Sequence, residues 1–220
     1  YSPFRIWTSV PQIVVVVSDS EDAPGLTRAK KANIPTLIIQ KNNNLEKLLK
    51  EKYKVDFVCL AGWKQIIPDS MIDNFKILNV HPGLISDTKE GVVKNPDGTD
   101  ALWNKGKFTN AAIQNFLDSK ATYAGSTVHF LSHEFDFGPV LGRCFEKIKP
   151  GDTVNSLYKR LKKKENQLYI DVLAKLCKEG DVTIVVVDGG GRGAVLVDKY
   201  GQSKHVGKIL VVPGNDLMQI

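Results

Sequence analysis

Short apolar runs alternate with amphipathic stretches along the first part of the chain. The runs Ile13–Val17, Thr36–Ile39 and Phe57–Leu60 have the length and composition of buried strands. Apolar residues at helical spacing separate them, over about residues 23–32 and again from Leu45. Repeats of strand and helix pack into a mostly parallel, twisted sheet with helices on both faces, so the pattern predicts an α/β fold. Ligands of such sheets bind at the carboxyl ends of the strands.

One predicted strand ends in polar residues. After a short helix near residues 69–74, the apolar run from Lys76 delivers Asn79, then His81, then Pro82. Side chains two positions apart on a strand share a face. An amide donor for a developing oxyanion and a titratable imidazole are two of the groups that acyl transfer uses. A lone Asn or His at a strand end is more often a turn residue, so the pair needs support from a third group.

Asp136 is the candidate for that third group. It lies in a turn before Gly138 and Pro139, after a predicted strand over residues 127–131. A carboxylate beside an imidazole favours the imidazolium form and can hold a water for proton relay. His129, inside the strand, is interpreted as a structural partner that orients the site. This set of groups requires neither a metal ion nor a covalent nucleophile.

The rest of the chain gives a helix over about residues 110–118 and a second strand over 140–148. Asp152 or Thr153 is predicted to cap a long helix that runs to about Cys177 and carries an apolar, core-facing stripe. Residues 83–107 have no apolar period and contain the turn Asn95–Gly98. We interpret this segment as a lid or an insertion, with disorder as the alternative.

Composition limits the classes of function. The 220 residues are 42% hydrophobic and 25% charged, typical of one globular domain or one domain plus a fragment. Three widely spaced cysteines form no disulfide framework or zinc motif, which favours a reducing cytoplasm. No apolar run reaches the roughly 20 residues of a membrane span. The net charge of +6 is scattered and lacks a nucleic-acid-binding motif, so we expect small anionic substrates, and neither nucleic acid nor a membrane, as partners.

Taken together, five segments resemble the formyltransferase family that uses 10-formyltetrahydrofolate, within about residues 12–178. The resemblance is greatest to the branch that formylates the amine of glycinamide ribonucleotide in purine biosynthesis. It implies a Rossmann-like fold, reduced folate as co-substrate without a metal, and Asn79, His81 and Asp136 as catalytic residues, with His129 near them. The segments are Ser18–Ala29, Asp56–Trp63, Ile77–Pro82, Gly125–Phe130 and the Asp136 turn.

The same resemblance implies binding residues. The segment Trp63, Lys64, Gln65, Ile66 and Ile67 is similar to the family's folate-binding loop, although Lys64 and Gln65 stand where Met-Arg is common. Glu165 matches the acid that binds the ribose hydroxyls of the ribonucleotide. The alternative for Glu165 is a surface carboxylate that pairs with a basic neighbour such as Lys162.

Both ends depart from the family pattern. The family opens with a strand and a Gly-Ser-rich loop that cradles the substrate phosphate, and no such loop precedes Ile13. We therefore expect residues 1–178 to be a formyltransferase domain without its first strand, by truncation or by loss of the phosphate site. Residues 181–220, with a predicted strand over 182–187, a Gly-rich turn and Val212–Asn215, resemble the start of glycinamide ribonucleotide synthetase. That segment is the broken start of a fused enzyme or a degenerate tail.

Three other functions remain open at this point. One is a sister formyltransferase that acts on another amine, against which Glu165 argues. Another is a formyltetrahydrofolate hydrolase, in which water replaces the amine. The third is a folate- or nucleotide-binding module without catalysis, which the missing phosphate loop favours.

Overall fold

The computed structural model describes residues 13–39, 44–63, 65–178, 183–188 and 208–210. The chain divides into two compact units. The first unit comprises Tyr1–Lys76 and Leu173–Ile220, and the second comprises Ile77–Val172. No helix in the described parts of the chain is long and apolar enough to cross a bilayer.

The first unit is built on parallel strand pairs. The elements are β1 (Val16–Ser18), α1 (Pro24–Lys31), β2 (Thr36–Ile38), α2 (Leu45–Lys47), β3 (Phe57–Ala61), α3 (Asp69–Asn74), β7 (Thr183–Asp188) and β8 (Lys208–Leu210). Strand β1 pairs with β2, and β7 pairs with both β3 and β8, all in parallel. The predicted alternation of strands and helices is confirmed here.

Local chemistry explains where α1 begins and ends. Pro24 occupies its first turn, where a missing N–H costs nothing. At the other end Asn33 takes a left-handed backbone with φ of 56°, and the Ile34 N–H donates to the Ala29 carbonyl at 2.8 Å. This closure is the Schellman motif, in which Asn is tolerated at the left-handed position.

Three predicted elements of the first unit differ from the prediction in their start, their helix type or their placement. Strand β1 begins at Val16, three positions after the predicted Ile13. The helix predicted from Leu45 keeps α-helical geometry for one turn and continues as a π-helix over Leu48–Tyr53. The strand predicted over 182–187 is β7, which pairs with β3 inside the first unit.

The second unit is an antiparallel sheet with two helices. The elements are β4 (Lys76–His81), α4 (Thr109–Asp118), β5 (Tyr123–Phe130), β6 (Val140–Lys147) and α5 (Val154–Lys178). Strand β5 pairs in antiparallel fashion with both β4 and β6. The predicted α/β class with a mostly parallel sheet is confirmed, and its antiparallel part lies in this unit.

The core of the second unit lies where α4 and α5 meet β5. Its buried members include Ile113 and Phe116 of α4 and Leu157 and Leu161 of α5, packed with Ala124.

The predicted cap of α5 is confirmed at Thr153, whose hydroxyl accepts the Ser156 N–H at 3.2 Å. In return the Thr153 N–H donates to the Ser156 hydroxyl at 2.9 Å. Reciprocal bonds of this kind satisfy helix N-terminal donors that would otherwise have no partner.

Residues 83–107 form a hydrogen-bonded loop. The Leu84 N–H donates to the Leu102 carbonyl at 2.9 Å, so the two ends of the loop run side by side. Between them, the buried Asn95 closes a turn through its amide, which donates to the Thr99 hydroxyl at 3.0 Å. The start of the loop is also bonded to β6, because Arg143 donates to the Ile85 carbonyl at 2.8 Å. These bonds favour the interpretation of the segment as an ordered lid or insertion.

Candidate active site

Asn79 and His81 lie near the carboxyl end of β4, as predicted. The antiparallel register with β5 sets Asn79 opposite His129 and His81 opposite Thr127. The pairing of β5 with β6 shifts between Val128 and His129, which marks a β-bulge at that point. His81 and His129 are both buried, at 2% and 0% exposed.

A short hydrogen-bond chain orients the Asn79 amide. His129 Nδ1 lies 2.9 Å from the Phe130 carbonyl, so Nδ1 carries the proton and Nε2 is an acceptor. Asn79 Nδ2 lies 3.5 Å from that Nε2 and donates one hydrogen to it. The other hydrogen of the same NH2 group is left for a different acceptor.

His129 is held neutral. Burial, and secondly the charge of His81, lower the pKa of His129 to about 4, although the Phe130 carbonyl and Asp136 act in the opposite direction. A ring with this pKa has no charge at neutral pH and keeps its Nε2 lone pair for Asn79. The expectation that His129 is structural support agrees with this arrangement.

His81 and Asp136 are brought together, as the sequence predicts. His81 Nδ1 lies 3.4 Å from Asp136 Oδ1, and the carboxyl side chain is 13% exposed. The second oxygen, Oδ2, accepts the Gly106 N–H at 2.7 Å. Burial alone would raise the pKa of Asp136, but the hydrogen bond and charge of His81, with the Gly106 N–H, lower the pKa below its ordinary value. The carboxylate form is therefore favoured.

Two residues of the 83–107 loop complete the surroundings of this pair, and sequence reasoning did not assign them a role. The Trp103 carbonyl lies 2.7 Å from His81 Nε2. The Trp103 indole N–H donates to the Asp136 carbonyl at 3.1 Å, and its ring lies 5.8 Å from that of Phe137. Gly106 supplies the N–H described above and has φ of 75°. The Asn104–Gly106 stretch, with residue types that tolerate left-handed backbone, was the available sequence signal.

Glu165 is buried, so its alternative interpretation as a surface carboxylate is wrong. The side chain is 0% exposed, and its Oε1 accepts a hydrogen bond from the Ser126 hydroxyl of β5. Burying a carboxylate is costly unless it is hydrogen-bonded, so this position carries a polar group at some cost to stability. Such positions are candidates for ligand contacts.

The proposed folate segment lies in the first unit and is partly described. The Trp63 indole nitrogen is buried and has no hydrogen-bond partner among the described residues. Gln65 Nε2 donates to Asp19 at 3.3 Å, Ile66 is 85% exposed and Ile67 is half-buried. Lys64 lies outside the described residues. A buried donor beside an exposed apolar side chain fits a ligand that is both apolar and hydrogen-bonding.

Chemically, the second unit offers a neutral amide donor beside an imidazole–carboxylate pair. The described part of the chain has no group of three or more His, Cys, Asp or Glu side chains that could hold a metal ion. A comparison with family models matches residues 8–173 to the formyl transferase family. The chain belongs to this family.

Individual members of the family give the same result. A chloroplastic phosphoribosylglycinamide formyltransferase of Arabidopsis thaliana is 31% identical over 179 residues, which cover 76% of this chain and 56% of that protein. The trifunctional purine biosynthetic protein adenosine-3 of Bos taurus is 31% identical over 177 residues, covering 76% of this chain and 16% of that protein.

A solved family structure has the same fold. The phosphoribosylglycinamide formyltransferase of Anaplasma phagocytophilum superposes with a TM-score of 0.60 at 27% identity, covering 76% of this chain and 73% of that one. The chain thus spans about half the length of the plant relative and a small part of the trifunctional one.

Proposed function

We propose that this protein transfers the formyl group of 10-formyltetrahydrofolate to the amine of glycinamide ribonucleotide. The observation that carries the proposal is the pairing of His81 with Asp136 beside the oriented amide of Asn79. These are the residues that the resemblance to the family names as catalytic. The relatives named phosphoribosylglycinamide formyltransferase support the choice of amine.

Each side chain has a distinct part in this reaction. The folate supplies the formyl group, whose carbonyl oxygen gains negative charge when the amine attacks. The free hydrogen of the Asn79 amide is the neutral donor for that oxygen. His81 and the Asp136 carboxylate exchange the proton that leaves the attacking amine and is needed by the departing folate nitrogen.

Binding of the two substrates is proposed for separate segments. Trp63, Lys64, Gln65, Ile66 and Ile67 hold the folate, and the unpartnered Trp63 indole N–H is the donor that supports this assignment. Glu165 accepts hydrogen bonds from the ribose hydroxyls of the ribonucleotide. Its burial and its bond to Ser126 hold its side chain in one position.

The domain proposal follows from the same resemblance. Residues 1–178 are the proposed formyltransferase domain, and residues 181–220 are proposed to be a fragment similar to the start of glycinamide ribonucleotide synthetase, although their described strands β7 and β8 belong to the first unit, where β7 pairs with β3. The trifunctional relative supports fusion with other purine-pathway domains. Most of residues 181–220 lie outside the described residues. A cytoplasmic location stays a prediction, since the plant relative is named chloroplastic.

The test is a formyl-transfer assay on this protein. Tetrahydrofolate and formylated ribonucleotide are measured separately, with and without glycinamide ribonucleotide. We expect the two products to form at equal rates and only when the amine is present. An Asn79→Ala variant purified in parallel measures contamination by the host's own enzyme.

The remaining outcomes separate the alternatives. Release of tetrahydrofolate without the amine would replace the proposal by a hydrolase. Formylation of a different amine would identify a sister enzyme. Folate binding without turnover, measured by calorimetry, would leave a non-catalytic module.

A further inference from the structure

The Trp103 carbonyl is held against His81 from both sides along the chain. On one side the Leu102 carbonyl accepts the Leu84 N–H at 2.9 Å. On the other, the buried Asn104 amide donates to the Pro82 carbonyl at 3.0 Å. The residues on either side of Trp103, Leu102 through its carbonyl and Asn104 through its side-chain amide, are therefore bonded to Leu84 and Pro82.

Gly83 makes this close approach possible. A Cβ atom at position 83 would lie 1.7 Å from the Trp103 oxygen and 2.9 Å from His81 Nε2. Any larger residue would displace the carbonyl, because a separation of 1.7 Å is far inside van der Waals contact. Gly83, Trp103 and His81 thus form a single packed arrangement.

The 2.7 Å separation between His81 Nε2 and the Trp103 oxygen decides which nitrogen carries a proton. A carbonyl oxygen only accepts hydrogen bonds, so Nε2 must donate at this distance. The other nitrogen, Nδ1, faces Asp136 Oδ1 at the longer distance of 3.4 Å. The ring satisfies both acceptors when doubly protonated, and the shorter contact at Nε2 favours release of the proton on Nδ1 when one proton is lost.

We infer that Trp103 is a positioning residue for formyl transfer: its carbonyl keeps the proton on His81 Nε2, so that Nδ1, facing Asp136, is the nitrogen that exchanges protons. The catalytic part of this inference rests on the proposed function, whereas the location of the proton does not. The indole N–H of Trp103 contributes by holding the Asp136 backbone, so one residue fixes both members of the pair.

Two titratable groups lie close to His81 and act differently on this assignment. Asp136 reaches it from the turn after β5 and His129 from β5 itself. The carboxylate of Asp136 favours a proton on Nδ1 and so opposes its release, which the shorter contact at Nε2 has to outweigh, while the neutral His129 is occupied with Asn79. Lys105 lies over the Trp103 ring, 5.6 Å from its centre, and not against the imidazole.

The decisive measurement is the protonation of each His81 nitrogen, read by two-bond proton–nitrogen NMR on the nitrogen-15-labelled full chain across pH. In the wild type we expect Nε2 to stay protonated after the ring becomes neutral. In Gly83→Ala the carbonyl is displaced, and we expect the neutral ring to carry its proton on Nδ1 instead. Gly91→Ala is the matched control in the same loop, because its Cβ meets the rotatable Thr88 hydroxyl at 2.7 Å.

Trp103→Phe is the second variant and covers the case in which Gly83→Ala does not fold. It keeps the contact with Phe137 but loses the bond to the Asp136 carbonyl. We expect a mixed tautomer signal and a fall in kcat of about three- to ten-fold, the effect of one net hydrogen bond, with unchanged KM. We also expect the pH at which kcat is half-maximal to move.

Several results would overturn the inference. A neutral wild-type ring with its proton on Nδ1 would do so, as would an unchanged tautomer in folded Gly83→Ala or in Trp103→Phe. Since NMR needs no substrate, a protein with the expected tautomer but no formyl transfer would refute the proposed function and leave the proton assignment standing. The expected tautomer together with wild-type kcat and pH profile in Trp103→Phe would refute the positioning role.

Discussion

Replacing Asp136 by Asn is the sharpest perturbation of the proposed centre. The substitution preserves the size of the side chain, and an amide oxygen can still accept the Gly106 N–H that the carboxylate accepts at 2.7 Å. What disappears is the negative charge that faces His81 Nδ1. We therefore expect a folded protein with a specific loss of turnover.

The size of the loss follows from the geometry of the pair. A hydrogen bond to a charged group contributes about 1.5–3 kcal/mol net, which is about 10- to 150-fold in rate. The bare Coulomb energy at the observed 3.4 Å is about 5 kcal/mol in an effective dielectric of about 20, and this is an upper limit because water reaches the partly exposed carboxyl. We expect kcat to fall by about 10²-fold, with KM for both substrates nearly unchanged.

The assay is steady-state formyl transfer with both substrates saturating, beside the urea midpoint as a check of folding. Glu134→Gln is the matched control, since it removes a charge from the same turn. Glu134 pairs with Lys89 and with Lys105 on the surface of the unit. A wild-type kcat for Asp136→Asn would refute the role of the pair. An equal loss in both variants would mean that the general charge of the turn matters, and not the contact with His81.

Four further outcomes follow from the structure. Asn79→Ala should lower kcat by about 10²–10³-fold with little change in KM, as loss of an oxyanion donor does. Glu165→Gln should raise KM for glycinamide ribonucleotide at least about tenfold but not for the folate; equal rises would contradict the ribose assignment. Gly138→Ala would set a Cβ 2.1 Å from the Phe130 carbonyl and should lower the free energy of unfolding by about 1–3 kcal/mol in urea titrations. Because the pKa of His129 is about 4 when folded and near 6.5 when unfolded, the unfolded chain binds the extra proton between these values. The free energy of unfolding should therefore fall by about 3 kcal/mol as pH drops from about 6.5 to 4, and more weakly in His129→Gln.

The spacing of apolar residues predicts an element of this fold well where the element's own side chains determine which of its faces is buried. Helix α3 lies at its predicted position, and the predicted cap of α5 at Thr153 is confirmed. Strand β5 is different, because it begins at Tyr123, four residues before the predicted start. Gly125 is a poor strand former, and its strand geometry comes from pairing with β6, which residue order alone does not reveal.

The candidate site shows the same division. The side-chain types and two-residue spacing of Asn79 and His81 predict the part of the site on β4. The turn that contains Asp136 predicts the carboxylate. The contact of His81 with the Trp103 carbonyl could not be predicted, since every residue has a carbonyl and only tertiary structure selects one. Gly83 is the one local trace of that contact, because the space for the carbonyl exists only where a side chain is missing.

The two buried histidines of the second unit have opposite tasks because their ring nitrogens face different partners. His129 has one acceptor, the Phe130 carbonyl, and one donor, the Asn79 amide, so it is fully bonded when neutral. His81 has acceptors at both nitrogens and is fully bonded when it carries two protons. The register of β4 and β5 sets the positions of both imidazole rings. This strand pair therefore supplies a neutral hydrogen-bond donor, Asn79 held by His129, and a group that exchanges protons, His81 with Asp136. A site built this way separates stabilisation of the oxyanion from proton transfer. Substitution of Asn79 or His129 should lower turnover by weakening the oxyanion donor, whereas substitution of His81 or Asp136 should lower it by impairing proton transfer.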